Sequence, residues 1–99
     1  MNLAMKFSDD TVIRRSPTAL SRAFEHEVAV ILPSASAVRV LNEVGARIWA
    51  LADGRTFAAI VDVLLNEYQV ERTHLRADVE TFLAGLQDRG LLVEPSSGP

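Results

Sequence analysis

The sequence predicts an α+β domain in which a three-stranded antiparallel sheet precedes three helices that pack on it. Three observations predict it. Apolar residues alternate with period two through residues 19–41, they recur with helical period from residue 42 onward, and the strand signals all come before the helix signals instead of interleaving with them.

The first strand candidate is residues 19–24 (ALSRAF), which can pair with the next through a short turn at Glu25 and His26. The second, residues 27–32 (EVAVIL), is rich in β-branched residues and sets Val28, Val30 and Leu32 against Ala29 and Ile31, the pattern of a strand with one face on a core. Pro33 ends it. Residues 37–41 (AVRVL) alternate again, with Val38 and Val40 expected inward and Arg39 outward.

From residue 42 the period lengthens. Asn42 is a good N-cap, because its side-chain oxygen can accept from the free amides of a first turn, and Leu41, Val44, Ile48 and Leu51 then share one stripe. Gly54 is expected to close this helix through a left-handed cap conformation. Thr56 caps the second helix, whose Phe57, Ile60, Val61, Leu64, Leu65 and Tyr68 make a wide apolar face. The third begins near Glu71 to Thr73, carries Leu75, Val79, Phe82, Leu83 and Leu86 on one side, and stops at Gly90. Residues 91–93 are expected to fold back as a short extended piece. Three strands followed by three closely connected helices fit a winged-helix-like arrangement.

Ninety-nine residues at 48% hydrophobic make one small domain, able to bury roughly 60–70% of the surface its unfolded chain exposes. Residues 19–93 are the expected domain, residues 1–18 a partly ordered N-terminal extension, and residues 94–99 (EPSSGP) a disordered tail. Ten basic against 13 acidic residues give a net charge of -3, so no overall field draws the chain to phosphates or to anionic lipid. With no cysteine there is no disulfide, no thiolate chemistry and no common zinc ligand set. No signal peptide is read at the start, and no stretch approaches the ~20 apolar residues that cross a bilayer. A cytoplasmic protein is the expectation.

Little in the sequence suits covalent chemistry. His26 and His74 have no paired spacing such as HExxH, and acids such as Glu25, Glu27, Glu43, Asp62 and Glu67 fall near turns or on polar helical faces. The glycines come singly, so no glycine-rich loop cradles a phosphate. Trp49 reads as a core-edge residue. In the third helix Arg72, His74, Arg76 and Arg89 are nearly cancelled by Glu71, Asp78, Glu80 and Asp88, whereas a DNA-reading helix needs a concentrated positive face. Neither an enzyme, a metal or cofactor site, nor a nucleic-acid reader is expected.

A longer pattern does carry information. Leu41-Asn42 opening the first helix, Gly45 and Ile48-Trp49 within it, Asp53-Gly54 closing it, Leu64 and Tyr68 ending the second, Asp78-Val79 and Phe82-Leu83 in the third, and the closing Gly90-Leu91-Leu92 come in order and at set spacing. Together, over about residues 19–93, they resemble the PqqD-like family, named for its member in pyrroloquinoline quinone biosynthesis. The resemblance implies a non-catalytic peptide chaperone, or RiPP recognition element. Such a module grips the leader segment of a ribosomally synthesised precursor peptide and presents it to a modifying enzyme, often a radical S-adenosylmethionine enzyme; with no enzymatic segment read in this sequence, a separate subunit is the expectation.

The resemblance also implies where the leader goes: as an added strand on the third strand, beside the third helix. Here that maps to Val38, Arg39, Val40 and Leu41 as the pairing strand, with Leu75, Val79, Phe82, Leu83 and Leu86 as candidate groove floor. Helical spacing alone does not separate groove from core among those five. Arg39 and Arg76 are candidates to pair with acids of the leader. Two other readings compete: a winged-helix nucleic-acid binder, disfavoured by charge, and a dimerisation domain whose third-strand edge is filled by a second copy. Monomer and homodimer are both compatible with the sequence.

Overall fold

The computed structural model describes residues 7–35 and 37–93 of the chain. The tail expected at residues 94–99, and residues 1–6 of the extension, lie outside them. In chain order the elements are β1 (Val12–Arg14), β2 (Leu20–Ala23), β3 (Val28–Leu32), a 3₁₀ turn (Pro33–Ala35), β4 (Ala37–Leu41), α1 (Glu43–Leu51), β5 (Asp53–Thr56), α2 (Phe57–Glu67) and α3 (Arg72–Asp88).

The architecture is α+β, as the order of periods implies. β2, β3 and β4 form an antiparallel meander in that spatial order, and the three helices follow. One predicted orientation is reversed. Val30 lies opposite Arg39 and Val28 opposite Leu41, while Ile31 lies opposite Val38 and Ala29 opposite Val40. Residues directly opposite each other share a face of the sheet. Val30, Leu32 and Leu41 are buried, so Arg39 points to the core side and Val38 and Val40 to the outer face, 67% and 58% exposed. The expectation of inward valines and an outward arginine is therefore corrected. Its cause is parity: Leu41 is the last residue of β4 as well as the start of the helical stripe, and burying it fixes every second residue before it.

Both capping expectations hold. The Asn42 side chain accepts from the Gly45 amide at 2.8 Å, and the Thr56 hydroxyl from the Ala59 amide at 3.2 Å. α1 ends at Leu51 with Ala52 as its C-cap, and Gly54, at φ 110°, belongs to the strand that follows. Gly90, at φ 77°, turns the chain after α3 and sends Leu91 and Leu92 back into the core. There Leu92 bridges Arg15, and the Val93 amide donates to the Arg14 carbonyl at 2.8 Å.

Packing begins before residue 19. β1 pairs with β5 as a two-stranded antiparallel ribbon, which the sequence reading missed. Phe7 and Ile13 are buried with Phe57, Ile60, Leu64, Leu83 and Leu86 in a single core. The Asp9 and Thr11 carbonyls accept from the Ala58 and Phe57 amides at 3.1 and 2.8 Å. These are amides that the first turn of a helix leaves without internal partners, so the early segment caps α2 and holds it. Trp49, read as a core-edge residue, is fully in the core at 3% exposure, with the Arg15 guanidinium 5.8 Å from its ring centroid. Among the described residues no helix is long and apolar enough to cross a membrane.

Candidate functional site

β4 is a terminal strand. β3 pairs with it on one side, and among the described residues no strand pairs with the other, so alternate backbone N–H and C=O groups along it face open space. That edge forms one wall of a groove of about 390 Å³. Arg39, Val40 and Leu41 line it from β4, and Leu75, Asp78, Val79 and Phe82 from α3. Its end is closed by the first turns of α1, through Asn42, Val44, Gly45 and Ile48. The lining is chiefly aliphatic and aromatic, with Arg39 and Asp78 as its charged members.

The chain builds this groove by placing α1 directly after β4 with one residue, Asn42, between them. No loop intervenes, so the first turn of the helix must flank the end of the strand. Gly45 then lets α3 come close: a Cβ there would stand 3.0 Å from the Cε1 and Cζ atoms of Phe82. The Phe82 ring rests over the bare backbone of α1 and stays half-buried, with its remaining surface turned to the groove. Val44, expected on the core stripe, is 43% exposed and belongs to the groove instead.

The sequence-derived residues divide. Arg39, Val40, Leu41, Leu75, Val79 and Phe82 come together around the groove. Val38 is beside it on the outer face. Leu83 and Leu86 are not floor residues but core, each with no exposed surface. Along α3, positions 75, 78, 79 and 82 line the groove, a stripe of helical spacing in which Leu75 and Val79 are also buried members of the core, while Leu83 and Leu86 lie wholly in the core. Arg76 is occupied elsewhere: it ion-pairs with Asp9, and its guanidinium stands 4.7 Å from the centroid of the Phe57 ring. Asn42, Val44, Gly45, Ile48 and Asp78 were not foreseen as site residues. The adjacency of Asn42 to the third strand was the signal that could have found the first four.

Charges around the site are mostly engaged locally. His74 Nε2 lies 3.3 Å from Asp78 Oδ2, both side chains well exposed, and His26 is a solvated turn residue 3.9 Å from Glu25. On the opposite flank of α1, Arg47 donates from Nε to both Glu67 carboxylate oxygens at 2.9 and 3.1 Å. Those hydrogen bonds hold the Glu67 carboxyl below the usual carboxylate range and push the Arg47 guanidinium up. Among the described residues no three His, Cys, Asp or Glu side chains are grouped to hold a metal ion.

Fold and site together define a class: a small α+β domain with three helices on a meander, and an apolar groove between the unpaired edge of β4 and the last helix. The chain belongs to the PqqD family, described as Coenzyme PQQ synthesis protein D, whose model matches residues 27–92. A PqqA binding protein of Rhodopseudomonas palustris (strain HaA2) is 39% identical over 54 residues, 54% of this chain and 53% of the relative. The match thus spans about half the length of that protein. Among solved structures, TbiB1 in complex with the TbiA(beta) leader peptide superposes with a TM-score of 0.77 at 31% identity, over 81% of this chain and 94% of the other. A lasso peptide synthetase B1 complexed with the leader peptide has the same fold, with a TM-score of 0.72 at 24% identity over 82% and 96% of the two chains.

Proposed function

We propose that this protein binds, without catalysing any reaction on it, the leader segment of a ribosomally synthesised precursor peptide, and presents it to a modifying enzyme in the cytoplasm. The leader lies along β4 as an added strand and places its inward side chains in the groove against Leu75, Val79 and Phe82. One observation carries this reading: the unpaired edge and the apolar groove are the same place, so a peptide that completes the ladder delivers alternate side chains to the groove. The relative that binds PqqA, and the related TbiB1 whose structure includes a leader peptide, support the choice of guest.

The energetics divide the labour between backbone and groove. Each ladder hydrogen bond contributes only about 0.5–1.5 kcal/mol net, and a buried apolar anchor about 1.5–3 kcal/mol. Ordering a flexible leader costs about 2–5 kcal/mol in addition to the cost of association. Ladder bonds hold any extended peptide; two or three anchors in the groove decide which one is held usefully.

The test is amide hydrogen exchange during titration with leader peptides of precursors encoded in the same gene neighbourhood. Alternate amides of β4 gain protection, while those of β2 at the other edge do not. Tight binding with unchanged exchange along Ala37–Leu41 defeats the reading. The competing nucleic-acid role draws no support from the groove, which is lined mainly by apolar groups.

A further inference from the structure

A second, smaller recess lies along β4. Next to Val38 on β4 is a notch of about 50 Å³ lined by Val30, Leu32, Val38, Arg39, Arg89 and Leu91. That is room for a few waters or for one carboxylate, and too little for a ring. Two of its six lining residues are arginines, and no acid lines it among the described residues.

Arg39 lines both the groove and the notch. The register that turns it toward the core leaves its Nε buried and without a hydrogen-bond partner. Arg89, one turn past Gly85, donates from one Nη to the Gly85 carbonyl at 3.3 Å and keeps its other N–H groups. Two arginine side chains bordering one small recess, with no acid lining it among the described residues, suit a planar anion with two oxygens.

We infer that this notch reads an aspartate or glutamate side chain of the bound peptide, held between Arg39 and Arg89. The inference rests on the strand-addition reading above. Arg39 and Leu41 are two residues apart on the inward side of β4, and a paired guest follows the same two-residue period. The preferred guest therefore carries an acid and a large apolar residue two positions apart: the acid at the level of Arg39, the apolar one in the chamber between Val44 and Phe82. Arg39 and Arg89 are specificity-determining residues, and the peptide class is acidic-apolar.

Selection of a displayed random 12-residue peptide library on the immobilised protein tests this. The expected pool is enriched in Asp or Glu two residues from Leu, Phe, Tyr or Met. Selection on Arg39→Gln, and separately on Arg89→Gln, retains the apolar preference and loses the acidic one, with melting curves confirming that each variant folds. A selected peptide and its Glu→Gln form, measured against wild type and Arg39→Gln, show coupling on the order of tenfold in affinity. Enrichment of the apolar position alone, with protection of β4 amides intact, overturns the carboxylate notch and leaves strand addition standing. Enriched peptides that leave the β4 amides unprotected, or no enrichment, overturn both.

Discussion

The three-stranded sheet has two edges, and they are built differently. β2 is four residues long, exposed along its whole length, and carries Ser21 and Arg22. Short, charged edge strands are a common way for proteins to discourage unwanted pairing. β4 is one residue longer, exposes Val38 and Val40 on its outer face, and is backed by an apolar groove. The blunted edge suits solvent. The other invites a strand, and a chain that bears such a liability has a use for it.

The same contrast runs along α3, and it produces the largest expected effect. Leu83 is fully buried beneath the groove, so Leu83→Ala removes core contacts and lowers stability by about 2–5 kcal/mol in urea unfolding. Phe82, its neighbour, is half-buried and faces the groove. Phe82→Ala costs less stability than Leu83→Ala but reduces peptide affinity by roughly tenfold or more, the loss of a central aromatic anchor. If the two variants trade places, with Phe82→Ala the more destabilised and still binding normally, the division of α3 into groove and core stripes is wrong.

Gly45→Ala sharpens the point at smaller cost. Alanine in place of glycine favours the helix by about 0.5–1 kcal/mol, but the new methyl meets the Phe82 ring at 3.0 Å. The tip of the ring can give way, because Phe82 is only half-buried and lines the open groove. Net stability therefore changes little while the groove narrows, and affinity for a bulky apolar anchor falls several-fold in the same titration. Unchanged affinity would mean that the position of Phe82 does not matter to the guest.

Much of this was legible beforehand, and the gaps have physical reasons. Asn42 and Thr56 announced both helix starts, because capping is a local bond between a side chain and an amide three residues away. The alternation of Val28, Val30 and Leu32 announced the inward face of β3. What β4 buries could not be read from its own five residues, since AVRVL alternates whichever face is inward. It follows from Leu41, or from the register set by the turn that starts at Pro33. The β1–β5 ribbon escaped notice because its partners are some forty residues apart and DGRT has no strand-like composition. Groove and core residues on α3 were inseparable in sequence because both are apolar and lie on adjoining stripes.

Edge chemistry gives a smaller, discriminating effect. Val40→Lys places a charge on the outer face of β4, where it loses cross-strand contact with a guest, a change of about 0.2–1 kcal/mol in binding. Leu20→Lys, on the opposite edge and 58% exposed, leaves affinity unaltered. Equal losses from both would show that the guest does not choose between the edges.

The weakest effect concerns the flank of α1 that faces away from the groove. Arg47 and Glu67 tie α1 to α2 across twenty residues of sequence, at a largely solvated position. The Glu67 carboxyl is held below its usual range in the folded chain, so its contribution is fully present above the unfolded carboxylate range and is lost as pH falls through the lowered folded value. Glu67→Gln therefore melts slightly below wild type at neutral pH, and the two melting curves converge in acid. Peptide affinity of the variant stays at the wild-type value, because the pair braces the helix from the side that the guest does not touch. A drop in affinity without a drop in melting temperature would place part of the binding surface on this flank, and the free edge of β4 would no longer account for recognition by itself.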